Sequence, residues 1–505
     1  MDLMRTKSIE QSLADTEDPE FRLKRRLTAL DLTVFGVGVI IGAGIFTLTG
    51  RVAQAYAGPG VVLSFVLAAA CCCLAALCYA EFSSTVPVSG SAYTFSYATL
   101  GELIAWIIGW DLVLELLLGG SVVAQGWSSY FQALLTQFGI HWPAGLGYGS
   151  SFNLAAFLLV AILTVLVAAG IKESLRVNLV LVAVKLFVVL FVIFAGLTMI
   201  DTSNYTPFIP QAEAGQTAAG TLQTPLIQLA LGTPGVYGVM GVIFAASLVF
   251  FAYIGFDVVA TTAEEAKNPQ RDLPRGIIGS LVICTILYMA VALVITGMVN
   301  FRHINPDAAL ANAFADKGHN GIAKLIAAGA VAGLTTVVMT LLIGAIRVLF
   351  AMSRDALLPT GLAKVSPRTG TPLRITLIIG LTVAVVASVT PIHKLEEMVN
   401  IGTLAAFTLV SVAIPVLRRR RSDLDRSFSV PWSPFLPYLS AAICVFLMLN
   451  LTTETWMRFL IWMALGFVVY FSYGRRHSRV GRGIGIPAPD YSLPHDPGAG
   501  PDDRR

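Results

Sequence analysis

Two glycine-containing stretches lie inside long apolar segments, where a membrane helix would be expected to continue without interruption. They are residues 36–46 (GVGVIIGAGIF) and residues 250–257 (FFAYIGFD). In hydrocarbon an unpaired backbone group costs several kcal/mol, so a helix break persists only where it lines a cavity or where a ligand replaces the lost bonds. A break exposes N–H groups at the start of one half-helix and carbonyls at the end of the other, which suit a carboxylate and an ammonium. The pair of stretches therefore predicts a ligand site within the membrane.

The first stretch offers a specific arrangement for such a ligand. We expect the backbone amides of Gly42, Ala43 and Gly44 to bind a carboxylate. We expect the carbonyl of Ile40, with Ile41 in the same break, to face an ammonium. The alternative is that the glycines only let neighbouring helices pack closely, as small residues do in membrane proteins. Taken alone, the first stretch favours close helix packing. Together with the second break, it favours ligand binding.

Three carboxylates fall inside apolar segments, where an unpaired charge is costly. Asp257 stands ten residues before Lys267, so it lies ~15 Å deep at 1.5 Å per residue. It either caps the second half of its helix or contacts a substrate or a proton, and the cap is the preferred interpretation. Asp111 and Glu115 are four residues apart and share one helix face. They either steady the broken helix, which is preferred, or Glu115 meets a cationic substrate side chain.

Lys185 is the ionisable residue with the sharpest implication. It lies nine residues beyond Arg176, ~13 Å into the bilayer, among leucine, valine and phenylalanine. Desolvation favours the neutral form of a lysine at that depth, so the side chain could load and release a proton. The alternative is a fixed structural ammonium that does not titrate.

The remaining reactive residues argue against an enzyme. The six cysteines (71, 72, 73, 78, 284 and 444) all lie in apolar segments, and neighbours in the triplet point ~100° apart on a helix, too divergent to hold one metal. The six histidines all fall in loops or tails. We predict no catalytic centre, no metal, no cofactor and no disulfide.

The composition is that of a membrane protein. The chain has 505 residues, of which 56% are hydrophobic and 13% charged, against roughly 25% charged in soluble domains. Its mean hydropathy is +0.75. The apolar segments are long enough to cross ~30 Å of hydrocarbon. They predict an all-α integral membrane protein with twelve spans, near 33–55, 60–82, 96–122, 152–170, 177–199, 237–262, 276–299, 322–350, 373–391, 396–416, 435–451 and 455–473.

The distribution of positive charge predicts the orientation. Most of the 34 lysines and arginines fall on the side that carries both termini, which is therefore predicted to be cytoplasmic. Basic runs such as residues 418–421 then serve topology in a lipid bilayer, with no nucleic acid as a partner. Residues 1–26 form a polar tail, and the Arg-, Gly- and Pro-rich residues 475–505 are predicted to be disordered.

Three ordered motifs resemble those of a known family. Residues 41–46 (IGAGIF) resemble the opening motif of the amino acid–polyamine–organocation superfamily, and residues 79–93 (YAEFSSTVPVSGSAY) are similar to its loop after span 2. Residues 251–257 (FAYIGFD), followed by residues 264–269 (EEAKNP) and Pro274, are similar to span 6 of its cationic amino acid transporter branch. The resemblance covers residues 27–475, and the chain is identified as a bacterial-type relative of that branch.

The resemblance implies a LeuT-type fold, in which five spans are repeated in inverted orientation and two further helices follow. It also implies transport of L-amino acids by alternating access. The two glycine breaks fall in the first span of each half, where an inverted repeat would place them. The expected division is a cytoplasmic tail 1–26, repeat one 27–200, an extracellular loop 201–236, repeat two 237–416, two helices 417–474 and a tail 475–505.

The resemblance also assigns roles to residues of the second break and to the lysine. It implies that the carbonyls of Phe251 and Ile254 bind the substrate amine, beside Ala252 and Gly255, and that the Phe251 ring gates the site. In some proton-coupled relatives a span 5 lysine resembles a substitute for the metal ion of sodium-coupled relatives, and its ammonium bonds span 1 carbonyls. Lys185 matches that pattern.

We therefore predict a secondary active transporter of a bacterial plasma membrane that takes up a neutral L-amino acid with a proton. Small or mid-sized apolar substrates fit the predicted lining of Ala43, Phe251, Ala252 and Ile254. The alternative is a cationic amino acid facilitator or exchanger in which Glu115 or Asp257 recognises the side chain. A non-transporting amino acid sensor would need a sizeable folded cytoplasmic domain, and the tails are too short and polar to form one.

Overall fold

The computed structural model describes residues 27–85, 91–143, 145–170, 175–213, 222–232, 236–260, 262, 266–422 and 426–482. The predicted N-terminal tail, Glu264 and Glu265 of the third motif, residues 86–90 of the second, and the chain beyond residue 482 lie outside the described residues. Within these ranges the chain forms helices and connecting loops, with no β-strand. Eight helical stretches of the described part are long and apolar enough to cross a membrane.

Four shorter apolar helices accompany these eight stretches. In chain order the α-helices are α1 Ala29–Ile40, α2 Thr49–Val52, α3 Val61–Thr85, α4 Ser91–Thr99, α5 Glu102–Gln137, α6 Leu154–Ala168, α7 Leu175–Leu197, α8 Leu226–Leu231, α9 Gly238–Val249, α10 Phe256–Ala260, α11 Pro269–Met298, α12 Ala309–Asp316, α13 Asn320–Arg354, α14 Leu373–Val389, α15 Ile392–Arg420, α16 Phe435–Leu449, α17 Thr453–Val469 and α18 Arg475–His477.

Side-chain caps fix the starts of several helices. Thr28 and Asp31 form a capping box at α1, where the Asp31 carboxylate accepts the Thr28 N–H at 2.9 Å. Asn153 caps α6 by accepting the Ala156 N–H at 3.2 Å. Gly58, at φ +58°, separates the helical turns after α1 from α3. These caps and this glycine determine where α1, α3 and α6 begin.

The third predicted span differs from the observed helix. We expected 96–122, and the structure has α5 over Glu102–Gln137, preceded by the separate helix α4. Gly101 is the last residue of the connection between α4 and α5, and its φ of +109° is a conformation that favours glycine. The far end of α5 continues beyond the apolar segment because residues such as Gln125 and Ser128 are buried by hydrogen bonds to other helices and loops.

Helix α5 lies at the centre of the bundle. It packs along α13 and α15, while α11 packs against α1 and α3. Close approach depends on small residues, as expected where lipid offers no hydrophobic drive for association. A Cβ added at Gly329 would lie 2.3 Å from Val188 Cγ2, and one at Gly380 would lie 2.1 Å from Thr164 Oγ1.

The C-terminal segment is ordered further than the sequence predicted. Residues 475–482, expected to begin a disordered tail, form α18 and the 3-10 turn Val480–Arg482. Ser478 is fully buried, and its hydroxyl donates a hydrogen bond to the carboxylate of Glu102. The same hydroxyl oxygen lies 3.3 Å from the hydroxyl oxygen of Tyr97. The segment has no apolar face to pack against the bundle. The buried hydrogen bond of Ser478 holds it in place.

Candidate functional site

The first break interrupts the helix that α1 begins. Helix α1 ends at Ile40, and Ile41 adopts φ −70° and ψ +90°, outside the helical region. A π-helical turn over Gly44–Leu48 resumes the helix with no side-chain cap at Ala43. The first N–H groups of any helix lack partners within it, so this start has donors to offer a ligand. The break predicted from the glycines is confirmed.

The second break separates α9 from α10. Helix α9 tightens into a 3-10 turn over Phe250–Tyr253, and Gly255 then takes φ +118°, a conformation that only glycine adopts readily. The Phe251 carbonyl accepts the Ile254 N–H at 3.2 Å. Asp257, the second residue of α10, accepts the Gly255 N–H on Oδ1 at 3.2 Å, so its carboxylate bonds the backbone of the break. This predicted break is also confirmed.

The fold brings the two breaks into direct contact. A Cβ added at Gly44 would lie 2.3 Å from the Cβ of Ala252, so only glycine permits this approach. The buried hydroxyl of Tyr288 lies 2.7 Å from the carbonyl oxygen of Ile40 and 2.7 Å from that of Ala252. One side chain of α11 therefore joins the end of α1 to the second break.

A small cavity of about 20 Å³ opens where the breaks meet. A space of this size holds a water molecule and is too small for an amino acid, so the site must widen to admit one. Seven of its lining residues belong to the predicted site: Ile40, Gly42, Ala43, Gly44, Glu115, Phe251 and Ile254. The other five were not predicted: Val39, Gly119, Val123, Val337 and Leu341.

Other residues of the predicted site lie around this cavity without lining it. Ile41, Ala252 and Gly255 are part of the two breaks, and their contacts hold the broken segments together. Asp257 is buried at the start of α10 behind Gly255. Lys185 belongs to α7 and reaches the same broken helix further along.

Glu115 is a buried carboxylate at the cavity wall. It is 1% exposed, and neither carboxylate oxygen has a hydrogen-bond partner among the described residues. Asp257 and Asp111 lie close enough to interact with it electrostatically. Asp111 itself packs against α15, where a Cβ added at Gly402 would lie 2.8 Å from Asp111 Oδ1. The site thus gathers three buried carboxyl groups on one side.

Lys185 lies between three helices. Its side chain is 1% exposed, and its Nζ donates to the carbonyl oxygen of Gly38 on α1 at 2.6 Å. Its aliphatic part runs along α13, so a Cβ added at Gly333 would lie 2.6 Å from Lys185 Cγ. The lysine therefore contacts α1 within one turn of its break and touches α13, which supplies Val337 and Leu341 to the cavity.

Ion pairs hold the two ends of α15. Glu396, 1% exposed near its start, pairs with Arg51 of α2, which follows the first break. Arg418, near its end, forms a two-point pair with the fully buried Glu81 of α3, at 2.8 and 2.6 Å. The pairs are 22 residues apart on α15, or ~33 Å, about the thickness of a bilayer. The two ion pairs therefore lie at opposite ends of α15.

The unpredicted lining residues follow a pattern that the sequence partly contains. Glu115, Gly119 and Val123 are spaced by four on α5 and so share one face. Extending the Glu115 face along its helix would have found the other two. The lining residues Val337 and Leu341 carry no such pattern, and neither does Tyr288, which contacts both breaks without lining the cavity, because α13 and α11 are apolar on several faces. No group of three or more His, Cys, Asp or Glu side chains in the described ranges could hold a metal.

A bundle of apolar helices with a cavity at two adjoining helix breaks has the form of a membrane transporter. The chain matches the family model for amino acid permeases over residues 27–470. It belongs to the amino acid permease family, as the motifs predicted.

Relatives with known names agree with this assignment. The chain is 47% identical to the branched-chain amino acid permease BcaP of Bacillus subtilis, over 95% of this chain and 99% of that protein. It is 44% identical to the methylthioribose transporter of the same organism, over 94% and 98%. The vacuolar cationic amino acid transporter 4 of Arabidopsis thaliana is 31% identical, over 96% and 97%. All are named as transporters or permeases, in line with the prediction that the chain is not an enzyme.

Proposed function

We propose that this protein imports neutral L-amino acids, branched-chain ones included, together with a proton by alternating access. The observation that carries the proposal is the cavity at the meeting point of the two helix breaks, with glycines 42 and 44 on one side and Phe251 and Ile254 on the other. Apart from Glu115, its remaining walls are aliphatic side chains, one alanine and one glycine. Such walls favour an apolar substrate side chain over a charged one.

The proposed architecture is the LeuT-type arrangement of twelve spans, with repeats at 27–200 and 237–416, an external loop between them and two further helices. Eight long and four shorter apolar helical stretches support it, and the breaks fall in the first helix of each repeat. We further propose a bacterial plasma membrane location with both termini in the cytoplasm, from the placement of basic residues.

Recognition of the amino acid backbone follows from the broken helices. The uncapped start at Gly44, with the amides of Gly42 and Ala43, would bind the carboxylate. The carbonyls of Ile40, Phe251 and Ile254 would bind the ammonium, each having a second lone pair to offer besides any bond already made. Binding requires the breaks to separate, and the ring of Phe251 would then close the site.

Proton coupling is proposed for Lys185. Its bond to the Gly38 carbonyl links its charge to the position of α1, the helix that carries the first half of the substrate site. A protonated lysine holds this bond strongly, and a neutral one holds it weakly. Loss of the proton would therefore release α1 from α7, which is the movement that alternating access needs.

The names of the relatives leave two other substrates to be tested. The unpaired carboxylate of Glu115 at the cavity wall favours a cationic amino acid as the second candidate, because it could pair with the side chain. The relative named for methylthioribose is nearly as similar as the branched-chain permease. A sugar has no ammonium or carboxylate, so it would not use the two ends of the breaks in the way proposed.

The test is uptake into proteoliposomes of the purified protein. Labelled isoleucine, alanine, arginine and methylthioribose are offered with and without an inward proton gradient. Concentrative uptake of isoleucine or alanine that needs the gradient supports the proposal. Gradient-independent uptake of arginine that Glu115→Gln abolishes would replace it with the cationic facilitator.

A further inference from the structure

A large cleft lies at the N-terminal end of α11, far from the substrate cavity. Its volume is about 680 Å³. One wall is the first turns of α11, and the other is the segment that carries Ser427 and Phe428, where Ser427 Oγ donates to Gln270 Oε1 at 3.0 Å. The cleft has no residue in common with the cavity at the helix breaks.

The polar rim of this cleft carries two unpaired cations. Arg271 and Arg275 are four residues apart, so they stand on one face of α11. Both side chains are exposed, and neither forms an ion pair with a described residue. The N-terminal end of a helix adds positive potential to theirs. The rim is therefore suited to an anion such as a phosphate group.

The floor of the cleft is apolar and continues toward the hydrocarbon. Pro274, Ile278 and Phe428 line it below the arginines. On the same face of α11 the stripe extends to Val282 and Ile286, which are 49% and 62% exposed. Exposed aliphatic side chains on an apolar helix of membrane length face lipid tails.

We propose that this cleft binds an anionic phospholipid, with its phosphate on Arg271 and Arg275 and an acyl chain along the stripe of α11. A soluble phosphate would satisfy the arginines alone and leave the apolar floor uncovered. A zwitterionic lipid would bring its own cation to a rim that already carries two. Only a ligand with an anionic head and an apolar tail uses both parts of the cleft.

The experiment measures thermal unfolding of the full-length protein in detergent with added lipid. Phosphatidylglycerol and phosphatidylcholine with identical acyl chains are compared, and native mass spectrometry counts the bound lipids. The test variant is Arg271→Gln/Arg275→Gln. The matched control is Lys364→Gln/Arg368→Gln, which removes two exposed cations from a loop outside the cleft.

Phosphatidylglycerol is expected to raise the Tm of the wild type and of the control, and phosphatidylcholine to raise it less. The test variant should bind phosphatidylglycerol roughly thirtyfold more weakly, from the loss of two basic contacts at the membrane surface. Equal stabilisation by both lipids, or an unchanged response of the test variant, would overturn the proposal. So would an equal Tm shift with inorganic phosphate alone, which would make the cleft a soluble-anion site.

Discussion

The Nζ atom of Lys185 lies 2.6 Å from the carbonyl oxygen of Gly38, two residues before the end of α1. This contact ties α7 to the helix whose break forms half of the cavity. Gly38 is required there, since a Cβ would lie 2.4 Å from Val182 Cγ2. The side chain of Lys185 is thereby connected to the position of the backbone that we propose binds the substrate.

Replacing Lys185 by methionine keeps the length of the side chain and removes the ammonium. We expect Lys185→Met to lose accumulation driven by a proton gradient and to keep exchange of external labelled for internal unlabelled substrate. The unpaired Gly38 carbonyl should cost about 1–3 kcal/mol of stability, visible as a lower Tm. Lys317→Met, in an exposed loop position, is the control and should behave as the wild type. Gradient-driven accumulation by the Lys185→Met protein would make the lysine structural.

Removing the hydroxyl of Tyr288 should weaken the connection between the two breaks. That hydroxyl lies 2.7 Å from the carbonyls of Ile40 and Ala252. Tyr288→Phe is expected to lower the stability by about 1–2 kcal/mol and to slow uptake, because neither break keeps this contact. Tyr79→Phe is the matched control, since its buried hydroxyl has no hydrogen-bond partner among the described residues. Equal losses in both variants would show that packing, and not the bridge, is what matters.

The helix breaks could be predicted because glycine in an apolar helix is a local signal. Gly42, Gly44 and Gly255 each destabilise a regular helix and each permit a conformation or close approach that a break needs. Both effects follow from the residue type alone. The sequence also indicates that Lys185 has a partner inside the bundle, since a lysine at that depth needs a backbone or charged partner. The Gly38 carbonyl is such a partner.

The cavity walls that α13 contributes could not be predicted. Val337 is 3% exposed and lines the cavity, whereas Ile286 is 62% exposed toward lipid, yet both are aliphatic residues of long apolar helices. Lipid tails are as apolar as a protein core, so composition does not distinguish the inner face of a helix from the outer one. The end of α5 and the docking of Ser478 were missed for a related reason, because polar residues buried by mutual hydrogen bonds resemble exposed ones in sequence.

Two buried glutamates should respond in opposite ways to the same substitution. Glu81 accepts two bonds from Arg418 and one from the Val430 N–H at 2.7 Å, while Glu115 has no described partner. Glu81→Gln should lower stability by roughly 2–3 kcal/mol, because Arg418 loses its counter-charge. Glu115→Gln should leave the Tm unchanged or raise it, since a buried carboxyl group beside Asp257 is replaced by a neutral amide. Thermal unfolding in one detergent compares them, and an equal drop for Glu115→Gln would reveal a partner for that carboxylate.

Gly119 offers a direct test of the cavity as the place where the substrate side chain binds. It lines the cavity, and a Cβ added there would meet Leu341 Cδ1 at 3.7 Å, an ordinary contact that the fold accommodates. Gly119→Ala should therefore fold normally and narrow the space for a branched side chain. One methyl group in an apolar pocket is worth ~1–3 kcal/mol, so KM for isoleucine should rise at least tenfold, with a smaller change for alanine.

The neighbouring glycine provides the control for this change. A Cβ at Gly120 would meet Val383 Cγ1 at 3.6 Å, an equally ordinary contact, and Gly120 does not line the cavity. Gly120→Ala should thus leave the ratio of isoleucine to alanine uptake as it is in the wild type. The two variants add the same methyl group to adjacent positions of α5, and only the direction in which it points differs. If both leave the ratio unchanged, the substrate side chain binds elsewhere, and the cavity at the breaks holds at most the amino acid backbone.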